Sequence, residues 1–299
     1  MLTEWHVPLD GSLPRWKLVG YGMEIALNTI LSIFAILVIT KIQQNGSYHL
    51  NFRICMANMY VALPLLAVTR CLAIVQIISG NTFLTVFVEA VVFKMFLIAV
   101  QAMWYLQIPS IIERICATVF YRSYYRWRCW GTVFMILVLW FWMTSVSFYN
   151  IPMDKKRGFI MLVAGTVFVI VVYLVLFKIN ICRYRSQPQT LKERYQTFEN
   201  MNSMYPLFGT MFIEVLYDVA SGIHMTFLHE IVVPEEAANQ NLINIVYNLS
   251  RELLLIAYCI PFLIFSQKRR QQRFLNRVHV ETNNTKELYF ENLRNQWHS

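Results

Sequence analysis

The fold class that the sequence predicts is all-α, a bundle of seven transmembrane helices with the N-terminus outside and the C-terminus inside. Three observations predict it. The chain is 57% hydrophobic and only 14% charged, whereas a soluble globular domain is about 45–50% apolar and about 25% charged. It contains seven apolar runs, each near or above the roughly 20 residues that a helix needs to cross hydrocarbon. Its formal charge of +9 gathers at alternate ends of those runs, which points to membrane topology and away from a nucleic-acid partner. With 21 Phe, 16 Tyr and 8 Trp, the chain also has the rings for aromatic belts at both interfaces.

The elements follow in order. Residues 1–19 form an extracellular N-terminus. MLTEWHVPLDGSLPRW carries Glu4, Asp10 and broken apolar patches, so it reads as no cleavable leader, and the first span acts as the targeting signal. The seven spans cover roughly 20–41, 54–78, 84–112, 129–149, 158–181, 204–228 and 241–265. Helix is the expected state because backbone groups in lipid pair internally. A β-barrel would need alternating strands of about ten residues instead. Spans one, four and five are clear by hydropathy, while two, three, six and seven carry charges. Pro109 in the third span removes an intrahelical hydrogen bond and is expected to kink its end. The second outer loop, Asn150–Arg157, is short, and the longest inner connection runs from Cys182 to about Ser203. Residues 266–299 form a cytoplasmic tail. No internal repeat is visible, which argues against an inverted-repeat transporter.

Orientation follows from Lys and Arg. With the N-terminus outside, the inner flanks hold Lys41, Arg53, Arg114, Arg122, Arg126, Arg128, Lys178, Arg183, Arg185, Lys192, Arg194 and the five basic residues of 268–277. The outer flanks hold Arg15, Lys17 and the one dissenting run, Lys155-Lys156-Arg157. Positive charge stays inside. Two sequons, Asn45 and Asn283, then face the cytosol and stay unmodified, and a third, Asn248, lies inside a span.

Charges within spans carry the next expectation. Arg70, Glu89, Lys94, Glu214, Asp218, Arg251 and Glu252 lie at the middle or the outer half of the membrane. Each costs about 2.5–3.5 kcal/mol at the bilayer centre, so each is expected to face the bundle interior. Glu214 and Asp218 are four apart and share one helix face, which calls for a cation from Lys94, Arg70 or Arg251. Two readings stand side by side: a polar pocket for a small ligand entering from outside, or salt bridges that hold the bundle. His224 reads as an interface residue. The six cysteines form no CxxC pair, so neither a zinc site nor a disulfide framework is expected, and no cofactor is implied. HExxH, GxSxG and GxxxxGK motifs are absent, and the chain reads as no enzyme.

Residues 110–121, SIIERICATVFY, place Glu113-Arg114 where the third apolar run gives out. At the inner boundary Arg114 can snorkel to water, or turn inward as a lock that breaks when the bundle rearranges. IIERICATVFYRSYY, residues 111–125, resembles the E-R-x-x-A-T segment that ends the third helix in nematode serpentine chemoreceptors of the Sre class and their Sra-like relatives. LKERYQTFENMNSM, residues 191–204, is similar to the segment that leads those receptors into their sixth helix. Tyr124-Tyr125 stands where that family often has Tyr-Glu. The resemblance implies a G-protein-coupled chemosensory receptor in the plasma membrane of a sensory neuron, with a small-molecule ligand and a heterotrimeric G protein as partners. It implies a switch and coupling role for Glu113, Arg114, Arg194 and Glu199, beside ligand binding by the seven buried charges. The alternative is a ligand-gated channel or small-solute carrier. The inner basic residues suit a G protein, and equally suit anionic lipid at about 1 kcal/mol per residue. Gln267–Val278 has the pattern of an amphipathic helix along the membrane.

Overall fold

The computed structural model describes residues 14–44, 48–148, 155–185, 191–226, 237–265, 272, 276 and 278–280. Among these the only regular structure is helical. The helices are α1 (Arg15–Gln44), α2 (Leu50–Ile78), α3 (Val86–Tyr105), α4 (Gln107–Val119), α5 (Trp130–Phe148), α6 (Lys155–Arg185), α7 (Leu191–Thr226) and α8 (Ala237–Ile264), with a 3-10 turn at Tyr124–Arg126. Counting α3 and α4 as one span, seven of these segments are long and apolar enough to cross a membrane. We call the end where α1 begins the N-side and the end where α8 finishes the C-side.

The break between α3 and α4 falls at Leu106, three residues before Pro109. The proline has no N–H for the carbonyl of Tyr105, and its ring crowds that same carbonyl. The expected kink is therefore a real division of the third span. Between α2 and α3 the chain reverses through Gly80 and Asn81 at φ of 68° and 63°, the left-handed region that Gly and Asn tolerate best. The Thr85 hydroxyl accepts from the Val88 N–H and starts α3.

Helices outrun the apolar spans. α7 begins at Leu191, thirteen residues before the expected 204, so the inner connection expected over Cys182–Ser203 is helical wherever it is described. The third span likewise runs on to Val119, past the expected 112. Backbone hydrogen bonding carries a helix beyond the hydrocarbon boundary that hydropathy reports. Residues 150–154, Asn45 and Asn283 lie outside the described residues. Asn248 is buried in α8.

α2 is the most enclosed helix and packs against α1, α3, α4 and α5. Its Phe52, Cys55, Met56, Tyr60 and Leu63 are fully buried. α5 is the opposite case, with only Ile136, Met143 and Ser147 buried while Phe134, Phe141 and Trp142 point outward. An all-apolar exposed face is what a helix presents to lipid.

α7 and α8 approach closely where Gly209 meets Pro261. A Cβ on Gly209 would stand 2.9 Å from Cβ and Cγ of that proline. A proline ring cannot rotate away, so Gly209→Ala should cost about 1–3 kcal/mol by overpacking. Gly165→Ala, which meets nothing within 4 Å, should cost nothing. Thermal unfolding of the two variants in one detergent checks the difference.

The chain divides into two units, 1–263 and 264–299. In the second, Gln272, Asn276 and Val278–Val280 are helical. Of the expected interfacial helix Gln267–Val278, the remaining residues and nearly all of the basic run 268–274 lie outside the described residues.

Candidate functional site

α4 turns an unusual face to the protein. Ser110, Glu113, Arg114, Ala117 and Thr118 are buried, at the spacing of one helical stripe. Ile108, Ile112, Ile115 and Val119, on the opposite side, are exposed. Pro109 and Ile111 are buried with them, so polar and apolar groups share the inner side while the outer side is apolar, unlike a surface helix in water.

Arg114 is the bulkiest fully buried side chain among the described residues, 1% exposed, and Glu113 is 4% exposed. Snorkelling is thereby excluded, and the guanidinium turns inward. Its Nη2 donates to Glu113 Oε1 at 2.5 Å and its Nε to Oε2, a two-pronged pair. Its Nη1 donates to Ser203 Oγ of α7, and its central carbon lies 4.2 Å from the centroid of the Phe52 ring of α2. The Tyr124 hydroxyl donates to Glu113 Oε1. Burial, and then the Glu113 carboxylate, push the Tyr124 phenol well above its ordinary range, so it remains a neutral donor. The Tyr124 ring packs 4.4 Å from that of His49, whose backbone N–H donates to Glu199 Oε1 at 2.6 Å.

The rest of the stripe is also tied. Asn200 Nδ2 donates to the Ala117 carbonyl at 2.8 Å, and Asn180 Nδ2 to Thr118 Oγ1 at 2.9 Å. Arg183 donates to the Thr118 carbonyl, and Ser110 and Tyr173 share a hydrogen bond of 3.0 Å. The segments 111–125 and 191–204, far apart in sequence, therefore meet at one C-side junction of α2, α4, α6 and α7. Arg122 pairs with Glu193 at 3.0 Å, but its side chain is 75% exposed, which leaves this contact worth little. Arg194 is half-buried on the first turns of α7.

The seven charges expected to line one pocket occupy separate places. Arg70 Nε meets Glu24 Oε1 at 2.5 Å and its Nη2 meets Oε2 at 3.3 Å. Arg251 Nη2 lies 2.5 Å from Glu252 Oε1 and 3.9 Å from Glu24 Oε1. Two arginines and two glutamates thus close a buried, neutral cluster linking α1, α2 and α8 in the N-side half. Glu24, fully buried, is its centre and is absent from the expected set, although a lone acid in an apolar span signals itself by its cost in lipid. Glu89, half-buried on the first turn of α3, accepts from Gln76 Nε2 at 3.2 Å and complements the helix dipole. Lys94 donates to the Ser147 carbonyl at 2.9 Å, a cation at the C-terminal turn of α5.

Glu214 and Asp218 differ from the others. Of their expected cations, Arg70 and Arg251 are engaged with Glu24 and Glu252 and Lys94 with the Ser147 carbonyl, and among the described residues neither carboxylate forms an ion pair. Gln107, the first residue of α4, donates to Glu214, and the Thr166 hydroxyl donates to Asp218 Oδ2 at 2.6 Å. Asp218 is 4% exposed, and its Oδ1 has no partner. Glu214 opens onto a narrow crevice between α3, α7 and α8, lined by Met103, Trp104, Ile213, Tyr217, Leu254, Leu255 and Tyr258.

Sequence reasoning missed Glu24, Ser203, Tyr124, Phe52 and Gln107. Apart from Glu24 these are neutral residues whose spacing carries no pattern. No family model matches the chain, and no curated protein matches it.

Proposed function

We propose that the chain is a G-protein-coupled chemosensory receptor of the plasma membrane in a sensory neuron, with α1 beginning outside and α8 finishing in the cytosol. One observation carries this reading. A buried acid–arginine pair at the C-side of the third span is bonded to α7 through Ser203, and the two segments that resemble nematode serpentine chemoreceptors meet around it. Such a junction has two arrangements, closed or open, and a ligand that favours the open one shifts the balance. The excess of Lys and Arg on the C-side flanks supports the orientation and provides a surface for an acidic partner. The buried charges of the N-side half support a site for a small molecule there.

The test is expression with a promiscuous G protein and a calcium readout against a panel of volatile and water-soluble odorants. A response that vanishes in Ser203→Ala at matched surface level is the expected result. Ligand-evoked current in an excised patch lacking G protein would replace the receptor reading with a channel.

A further inference from the structure

We propose that the turn between α4 and α5 docks on an anionic phospholipid, with the Arg122 guanidinium on its phosphate and the exposed rings of the turn in the headgroup layer. Such a site stands apart from the receptor reading and needs only a chain that spans a bilayer. Three observations converge on it.

First, the fork of Arg122 faces outward. Its Nε serves both of its polar contacts within the protein, the Tyr121 hydroxyl at 3.2 Å and the Glu193 carboxylate at 3.0 Å. Among the described residues its Nη1 and Nη2 have no partner, and the side chain is 75% exposed. Those two nitrogens present N–H donors in the planar geometry that suits phosphate oxygens. Second, the surroundings are positive. The Arg183 guanidinium of α6 lies 4.7 Å from the centroid of the Tyr121 ring and that of Arg122 lies 5.6 Å from it, so two cations stand beside one tyrosine. Arg126 and Arg128 follow on the turn, both exposed, and no Asp or Glu occurs from Arg114 to Met153. An anion is attracted by all of these, whereas a zwitterionic headgroup brings its own ammonium against them. Third, the turn is apolar where it is uncovered. Phe120, Trp127 and Trp130 are 47%, 41% and 73% exposed.

The turn joins two membrane spans, so it lies where hydrocarbon gives way to headgroups. Aromatic rings interleaved with arginines at that level anchor a chain to the interface. A free phosphate would leave all three rings in water, whereas a lipid carries its phosphate at the depth where they are covered. The rings are also held from inside. Trp127 packs 5.2 Å from Phe120 and 5.9 Å from Tyr124, and the Tyr124 hydroxyl donates to Glu113. Lipid bound to the turn in this position therefore favours the arrangement that keeps Tyr124 on Glu113, and the closed junction gains stability from binding.

Binding is tested on the full chain without G protein, so that its failure says nothing about coupling. The chain in detergent is titrated with a phosphatidylinositol phosphate, with phosphatidylcholine and with the water-soluble inositol phosphate headgroup, and native mass spectrometry reads the first bound molecule. The anionic lipid should bind at least about tenfold tighter than either of the others. Arg122→Gln/Arg128→Gln should weaken it by about thirtyfold, about fivefold for each arginine. Arg15→Gln/Lys17→Gln, which removes two cations from the opposite end of the bundle, should leave it unchanged. Trp130→Ser should weaken the lipid but not the soluble headgroup. In nanodiscs the anionic lipid should raise the unfolding midpoint of the wild-type chain and not that of the arginine variant. The proposal is overturned if phosphatidylcholine or the soluble headgroup binds as tightly as the anionic lipid, if the folded arginine variant keeps full affinity, or if the two pairs of substitutions weaken binding equally. Loss of G-protein coupling in the arginine variant with lipid affinity intact would likewise overturn it and give the surface to an acidic protein.

Discussion

Arg114→Ala should destabilise the bundle by about 3–5 kcal/mol, whereas the double variant Glu113→Leu/Arg114→Met should cost far less than the two single changes added together. The reasoning is one of compensation. Arg114 is enclosed by Glu113, Ser203 and the Phe52 ring. Removing it leaves a carboxylate 4% exposed with only the Tyr124 hydroxyl for company. An orphaned buried charge is the expensive outcome, while an apolar pair of similar volume is often neutral. Chemical unfolding in one detergent, read as a double-mutant cycle, measures the coupling directly. Additive single effects would show that the pair is not energetically joined. In the receptor reading, the double variant is also the one that should retain surface expression while losing ligand-evoked signalling, because the junction can no longer close and reopen.

Glu24→Ala should cost a similar amount, about 3–5 kcal/mol, and should exceed the cost of removing any of the more exposed charges. Glu24 is the shared acid of the N-side cluster. Without it Arg70 loses a bidentate partner and Arg251 loses its second carboxylate. Glu89→Ala is the contrast. That residue lies half-buried at a helix start, so about 0.3–1 kcal/mol of dipole interaction is at stake. Parallel melts of the two variants decide the matter. A Glu24 effect no larger than the Glu89 effect would mean that the cluster is solvated in the folded bundle.

The spans were legible because hydrocarbon imposes a length and a composition that no soluble helix needs. The ends of the helices were not, because hydropathy marks where lipid stops and hydrogen bonding continues. For that reason α7 starts at Leu191 and Glu113-Arg114 sits inside α4 rather than at its finish. The place of Glu113 and Arg114 toward the end of the third span was readable, but the direction of the arginine was not. It depends on Ser203 and Phe52, which only the packing of three helices brings together. Partner choice failed at Glu214 and Asp218 for the same reason. Spacing put both acids on one face, but the available arginines lie nearer to Glu24 and Glu252. Glu24 itself was readable by the cost argument that picked out the other buried charges.

The buried ion pairs also bear on how such a chain enters a membrane in the first place. Glu24 and Arg70 lie on α1 and α2, consecutive helices that pack together, so a hairpin of the first two spans pairs these two charges before the rest is synthesised. Arg251 and Glu252 are neighbours on α8, and Glu113 and Arg114 are neighbours on α4. Each of these charges, worth about 2.5–3.5 kcal/mol against insertion when alone, can thus cross the translocation machinery beside its counter-charge. The partly assembled chain is spared most of the penalty that a charge waiting for a distant helix would impose.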